Sequence, residues 1–455
     1  MNEMRPFRAI RLARGGIFRP NADAWGRKFW LLPGINVKRW LLLSTLGVVM
    51  GLLGLWVLLG GQPARWLDTL YGMLDGFLRQ HLTTPQSVQV ARWAIGLAFI
   101  AFGGALWWWG LRRAWRTLAG ILQPRVSGRV WDVLSRYALM AHGKRVVVIG
   151  GGTGLSTMLR GIKRYTTNIV AVVTVTDDGG SSGRLRAELG ILPPGDIRNC
   201  LIALADAEGS MTALLQHRFG SQSGTLGGHS VGNLLIAAMT QITGDFEQAV
   251  REISKVLAIR GRVLPSTLSH VNLCAEMEDG ACVEGETAIV AYPARIRRMH
   301  LKPADPPAPP EVIEAIRNAD VVVLGPGSLF TSVIPNLLVP AITDALNATD
   351  ALRIYVCNVM TQPGETDNFT ASDHVRAIEA HTGKRVFDYV LVNTRMPSAE
   401  MLERYRASGQ DVVIPDVDRV RAMGYKVVTG DFISESDFVR HDPIRLAEAI
   451  LRLAK

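Results

Sequence analysis

Cysteine is scarce in this 455-residue chain, which holds only Cys200, Cys274, Cys282 and Cys357. None forms a CxxC pair or stands at zinc-ligand spacing from a histidine. That excludes a zinc module and a disulfide framework, and points to the reduced thiols of a cytoplasmic domain. Acidic residues are sparse at the front: residues 1–142 carry 18 Lys+Arg against 5 Asp+Glu, leaving 32 against 35 for the remainder. The formal net charge of +10 therefore belongs to the first third of the chain. Tryptophan is missing from the back, since all 11 lie between Trp25 and Trp131. Two differently composed modules meet near Ala141-His142-Gly143, giving expected domains of 1–142 and 143–455. No internal repeat or heptad array interrupts either.

Charge is absent altogether from "WLLLSTLGVVMGLLGLWVLLGG" (Trp40 to Gly61). A run of roughly 20 apolar residues is the length that a helix needs to cross a bilayer core. A second apolar run, "WAIGLAFIAFGGALWWWGL" (Trp93 to Leu111), ends in three tryptophans, as an interfacial aromatic belt would. The first run begins late and no small-residue cleavage site follows it, which argues against a cleaved signal peptide. Nine Lys/Arg precede Trp40 and Arg112, Arg113 and Arg116 follow the second run, while only Arg65, Arg79 and Arg92 lie between. By the positive-inside rule the expectation is a two-span membrane protein with both termini and the main domain in the cytoplasm. Its basic surplus is matched to membrane lipid headgroups and not to nucleic acid. The piece between the runs places Leu67, Leu70, Tyr71, Leu74 and Phe77 at helical spacing, suited to the outer membrane surface or to packing against the spans.

Behind the boundary, short β-rich runs alternate with helical patterns: "RVVVIG", "NIVAVVTV", "DVVVLG", "RIYVCNV" and "RVFDYVLVN" each precede a loop and a helix-like segment. This pattern predicts a Rossmann-like, doubly wound, mostly parallel α/β sheet whose continuous apolar strands are buried on both faces. The stretch "EGETAIVAYPARIRRMHLKPADPPAPP" reads as a β-hairpin followed by a proline-rich loop.

Ligands of such sheets sit beyond the carboxyl ends of the strands. In "KRVVVIGGGTGLSTMLRG" (Lys144 to Gly161) the first strand runs into Gly150, Gly151, Gly152, Thr153 and Gly154, where backbone and helix amides can approach an anion. The loop lacks two things. Leu155 stands where a dinucleotide fingerprint needs its third glycine, and Lys163 is too distant for a Walker A lysine. A phosphate cradle and a plain tight turn both fit. A second loop, Gly325, Pro326, Gly327 and Ser328, follows "DVVVLG", with Ser328 and Thr331 as ligand donors or helix caps. Between the loops, Asp177, Asp178, Ser181 and Ser182 (in "TVTDDGGSSGRLR") and Asp196, Arg198 and Asn199 (in "PPGDIRNCL") concentrate polar groups at helix starts. They suit a ribose, phosphate or metal ligand, or an Asx turn with a helix cap. His229, Ser230 and Asn233 repeat the arrangement in "GGHSVGNLL", and Asn358, Thr361, Gln362, Glu365 and Thr366 follow a later strand.

These segments, in this order, closely resemble the bacterial gluconeogenesis factor family, which is related in fold to 2-phospho-L-lactate transferase. The resemblance covers roughly Gly143 to Lys455 and leaves out the membrane module. It implies a Rossmann-like domain that binds a UDP-sugar, typically UDP-N-acetylglucosamine, and supports cell shape and wall-precursor supply during growth on gluconeogenic carbon. Ligand-binding residues would come from Gly151, Gly152, Thr153, Gly154, Asp177, Asp178, Ser181, Ser182, Asp196, Arg198, Asn199, His229, Asn233, Gly325, Gly327 and Ser328. The transferase relatives imply the alternative, a magnesium-dependent transfer of a phosphate-containing group from a nucleotide-linked donor. That chemistry would be carried by Asp178 and Asp196, with Asp177 as an alternate partner and Asp178 as the metal ligand. The residues specify no cofactor beyond that Mg2+, and they leave a homo-oligomer and any protein partner open.

Overall fold

The computed structural model describes residues 37–59, 68–82, 84–122, 140–206, 209–435 and 438–454. The basic residues up to Lys28, Arg65 and the end of the first apolar run at residues 60–61 lie outside the described residues. The chain packs as two compact units, Met1–Leu134 and Ser135–Lys455.

The second unit is built on a seven-stranded sheet. Its strands are β1 (Val146–Gly150), β2 (Ile169–Val173), β3 (Arg262–Pro265), β7 (Val321–Leu324), β8 (Leu352–Val356), β9 (Tyr389–Asn393) and β10 (Lys426–Gly430), in spatial order β10-β9-β8-β7-β1-β2-β3. Every neighbouring pair is parallel. The expected α/β class is therefore the observed one. Strands β1 and β7 are buried along their whole length, as their unbroken valine runs require when helices cover both faces. Val148, Ile149, Val322, Val323 and Leu324 have no exposed surface at all, and each such side chain contributes about 1.5–3 kcal/mol of burial. From β1 the chain winds outward to β2 and β3, then returns to lay β7 on the other side of β1. The sheet thus reverses its winding between β1 and β7, and a crevice opens there at the strand ends.

Two small sheets complete the unit: β4 (Asn272–Met277), β5 (Cys282–Glu284) and β6 (Ile296–Lys302) in order β5-β4-β6, and the antiparallel pair β11 (Ile433–Glu435) and β12 (Val439–His441). The expected hairpin after Glu284 is not formed. Gly285 turns the chain at φ +101°, the helix Glu286–Ala291 follows, and β6 pairs with β4 instead of its sequence neighbour. The cause is distant in sequence, because the Asp178 carboxylate accepts from the Thr287 backbone N–H (3.0 Å) and hydroxyl (2.7 Å), which nucleates the helix.

In the first unit, helices Val37–Leu58 and Pro85–Leu122 are both long and apolar enough to cross a membrane. The second extends well beyond the expected 93–111 at both ends. The two helices meet along glycines seven residues apart, Gly47 and Gly54 on one and Gly96, Gly103 and Gly110 on the other. Seven residues is close to two helical turns, so each set lines one stripe. A Cβ on Gly103 would lie 2.6 Å from the Gly47 carbonyl oxygen and 2.7 Å from the Gly51 nitrogen, and one on Gly54 would lie 2.6 Å from the Gly96 oxygen. Backbone touches backbone, as small residues allow between helices in lipid. At one end Trp40 and Trp109 meet edge to face at 5.6 Å, with the Arg113 guanidinium 5.4 Å and 5.7 Å from their centroids. In the helix Asp68–His81, Leu78 is buried while Met73 and Phe77 remain exposed, and Leu67 with the side chains of Leu70 and Tyr71 lies outside the described residues.

The seam makes a paired prediction. Gly103→Leu should lower the thermal stability of the detergent-solubilised chain by about 1–3 kcal/mol, the cost of overpacking a closed contact. Gly104→Leu, at a position where a Cβ meets nothing within 4 Å, should leave melting unchanged. Equal melting of the two variants would mean that the helices do not touch along this stripe.

Candidate functional site

The glycine loop after β1 is held by three different demands. Gly152 has φ +66°, a left-handed conformation that strains any other L-residue. Gly151 is extended, but a Cβ there would lie 2.6 Å from Asp196 Oδ2 and 2.8 Å from Thr174 Cγ2. At Gly154 a Cβ would lie 2.6 Å from the Pro326 carbonyl oxygen, in the loop after β7. The two loops are therefore stacked: the Gly325 N–H donates to the Ile149 carbonyl (2.8 Å), and a Cβ on Gly327 would crowd the Gly151 oxygen at 3.2 Å. Gly151 and Gly154 are small for the sake of neighbouring protein groups, whereas the sequence alone suggests small size for the sake of an anion.

Together these loops wall a cleft of about 460 Å³ lined by Gly152, Thr153, Gly154, Gly327 and Ser328. Asn358, Thr361 and Gln362 line it from the loop after β8. The Gly327 N–H faces Asn358 Oδ1 at 3.4 Å, and Gln362 Nε2 donates to Ser328 Oγ at 2.9 Å. Opposite stand Arg404 and Tyr405, from the helix Ala399–Arg406, and Phe438 and Arg440, from the β11–β12 segment. Neither arginine is ion-paired with a carboxylate among the described residues. No motif announces Arg404, Phe438 or Arg440 in the sequence. They reach the cleft only because β8, β9 and β10 carry the chain back to this edge.

Both helix starts at the loops already hold a protein carboxylate. Asp196, at the first turn of the helix Gly195–Leu204, accepts the Gly152 N–H, and Glu365 accepts from the Phe330 N–H and the Thr331 hydroxyl, each at 3.3 Å. Burial pushes Asp196 up to about 6, with the Asp177 charge adding to it, and pushes Glu365 up to about 7. Ser328 makes no capping bond of its own, and Thr331 is taken up by Glu365.

The remaining sequence-derived residues gather elsewhere. Asp177 Oδ1 accepts from the Gly179 N–H (2.9 Å), an Asx turn, and a Cβ on Gly195 would crowd both Ser182 Oγ and Asp177 Oδ2. Ser181 Oγ pairs with His229 Nδ1 (3.0 Å) and accepts from Asn233 Nδ2 (3.0 Å). Arg198 donates to Ser230 Oγ (2.5 Å), Asn233 Oδ1 (2.8 Å) and Asn199 Oδ1 (2.9 Å). Ser181, Arg198, Asn199, His229, Ser230 and Asn233 thus form one continuous network, largely buried and spending most of its hydrogen-bonding capacity on itself. Burial holds Arg198 and His229 below their usual ranges, which leaves the imidazole neutral. None of these residues lines the 460 Å³ cleft. Asp178 lines a second cleft of about 500 Å³ with Arg186, His270, Asn272 and Glu284. Its Oδ1 accepts from the Thr287 backbone N–H and hydroxyl, and among the described residues no three His, Cys, Asp or Glu side chains converge on one point.

Sequence reasoning passes over Glu286. Burial pushes it up to about 9, and the charges of Asp177, Asp196, Glu365 and Asp178 add to the rise. The available signal is a Gly-Glu-Thr directly after a strand, which the hairpin reading hides. A raised carboxyl keeps its proton in the folded chain while the unfolded chain releases it, so stability falls as pH rises from about 4.5 toward 9. Glu286→Gln should therefore melt higher than the parent chain at pH 8, and the gap should close near pH 4.5. A gap that does not change with pH, in thermal melts at the two values, would show that Glu286 does not retain its proton.

Comparison with known proteins accounts for this combination of loops. The family described as 2-phospho-L-lactate transferase CofD matches residues 146–433. The gluconeogenesis factor of Bacillus subtilis (strain 168) is 48% identical over 317 residues, 70% of this chain and 100% of its own length. A relative from Nostoc sp. (strain PCC 7120) whose name carries the same term is 48% identical over 431 residues, 93% of this chain and 91% of its own, so that match continues into the N-terminal module. The crystal structure of a UPF0052 family member from Bacillus halodurans superposes with a TM-score of 0.66 at 50% identity, covering 68% of this chain and 99% of that one. A CofD match over more than half of the chain, joined by relatives near 50% identity that are covered almost end to end, places this chain in the gluconeogenesis factor family.

Proposed function

We propose that this chain is a membrane-held binder of a UDP-sugar, with UDP-N-acetylglucosamine as the ligand that the family resemblance favours, and that it acts on cell shape and wall-precursor supply during gluconeogenic growth. The observation that carries this reading is the cleft where the β1 and β7 loops stack, faced by Arg404 and Arg440, which have no carboxylate partner among the described residues. Backbone amides on one wall and the Arg404 guanidinium on the other suit a diphosphate. Ser328, Asn358 and Gln362 offer the neutral donors and acceptors that a sugar needs. In this reading Ser181, Ser182, Arg198, Asn199, His229 and Asn233 serve the ligand indirectly by fixing the Asp177–Asp178 loop and the start of the Asp196 helix. The domain 143–455 holds the ligand, and the helix pair anchors it with both termini in the cytoplasm.

One observation favours the transferase alternative: Asp196 titrates near neutrality, at about 6, beside the glycine loop, where it could accept a proton from an incoming nucleophile. The two readings separate on one variant. In a binder, Asp196→Asn changes affinity by about 1–3 kcal/mol, the scale of a charged hydrogen bond, with no reaction to lose. In a transferase it lowers turnover much more than binding.

Calorimetry on the full chain should find UDP-N-acetylglucosamine bound and recovered intact by mass spectrometry, with Arg404→Ala weakening it at least tenfold and leaving the melt unchanged. Release of UDP by the parent chain that disappears in Asp196→Asn would overturn the binder in favour of the enzyme. The topology has its own check. A cysteine placed at Phe18 should stay unlabelled by an impermeant thiol reagent in intact cells, and labelling there would reverse the assigned orientation.

A further inference from the structure

Phe438 stands out against the cleft that it lines. It leaves 53% of its surface exposed, and it belongs to none of the apolar clusters that hold this unit together, although its neighbour Val439 is buried with Val359, Met360, Met401 and Ile433. The Arg440 guanidinium sits 5.0 Å from its ring centroid, two residues along the same strand segment, and both side chains line the cleft. The ring thus has a cation against it and still leaves about half of its surface, 53%, exposed where it lines the cleft. The backbone beneath is fixed: the Val439 N–H donates to the Tyr405 hydroxyl at 2.9 Å, and β12 pairs with β11. A large aromatic group held in place, exposed and backed by arginine is poorly explained by packing, since the ring could be lost without opening the core.

We infer that Phe438 is a stacking platform for a planar heteroaromatic ring, the base of the nucleotide ligand. The inference rests on the nucleotide-sugar reading of the same cleft and gives that ligand a direction. The diphosphate lies toward Gly152–Gly154 and Arg404, and the base lies on Phe438 at the far wall. Base stacking tolerates any base, because each has a π-face and an arginine behind the ring reinforces the stack. Gln410 and Ser408, which line the same end, are left to read the edge of the ring.

The test compares two probes on the full chain in detergent, UDP and inorganic pyrophosphate. Phe438→Ala should weaken UDP by about 5- to 150-fold, the range for losing one stacked base, while pyrophosphate affinity changes less than twofold. Phe438→Trp should keep or strengthen UDP binding. Phe438→Leu, which retains apolar bulk without a π-face, should lose most of it. Equal losses for both probes, or UDP affinity unchanged in Phe438→Ala, would overturn the platform. A parent chain that binds neither UDP nor UDP-N-acetylglucosamine would overturn the nucleotide-sugar reading along with it, whereas normal binding by the parent and by Phe438→Ala removes the platform alone. Thermal melts of the variants should match the parent chain, because Phe438 lies outside the core.

Discussion

The architecture of the second unit turns on a contact from which a single methyl group would have to be excluded. Gly154 faces the Pro326 carbonyl so closely that a Cβ would lie 2.6 Å from the oxygen. Two parallel strands can lie side by side in many proteins without their following loops touching. Here the loops after β1 and β7 stack because glycines remove the side chains that would hold them apart. The crevice created by the reversal of winding becomes a walled cleft in consequence, and the loop after β8 is drawn into the same wall through Asn358 and Gln362. Separating the loops would remove the cleft while leaving the sheet intact.

A helix start is a ready site for an anion, and both helix starts at this cleft are occupied by the protein's own carboxylates. Asp196 and Glu365 satisfy amides that would otherwise be buried and unpaired, and burial holds both acids near neutrality, so their charge is only partly expressed in the folded chain. In the proposed reading, an incoming phosphate meets a site whose deepest amides are already engaged, and relies on the outer part of the glycine loop, around Thr153, and on Arg404 across the cleft.

The sheet was legible because its central strands β1, β2 and β7 are mostly valine and isoleucine, a composition that fits burial on two faces. The edge strands β3 and β10 were not, since "RVLP" and "KVVTG" are short and carry charge and glycine, so tertiary pairing alone makes them strands. Both glycine loops could be placed at the strand ends, because that position follows from topology. The opposite wall could not. Arg404, Phe438 and Arg440 have ordinary local contexts and converge only through the folding of β8 to β10. The polar motifs around Ser181, Arg198, His229 and Asn233 were found readily, but the residue types that bind a ligand also bind one another, and sequence alone cannot say which partner wins. The helix Glu286–Ala291 escaped for a related reason: its cap, Asp178, comes from far upstream in the chain.

The glycine seam of the apolar hairpin divides each helix into two surfaces under opposite rules. Toward the partner, every seventh residue has no room even for a methyl group, while Leu42, Leu52, Leu97 and Phe102 look outward. Lipid accepts almost any apolar side chain, so drift in this hairpin is free on one side and frozen on the other. Among related chains that keep the two helices, variation should therefore rise and fall with a seven-residue beat, a record of the contact written in what evolution has been unable to change.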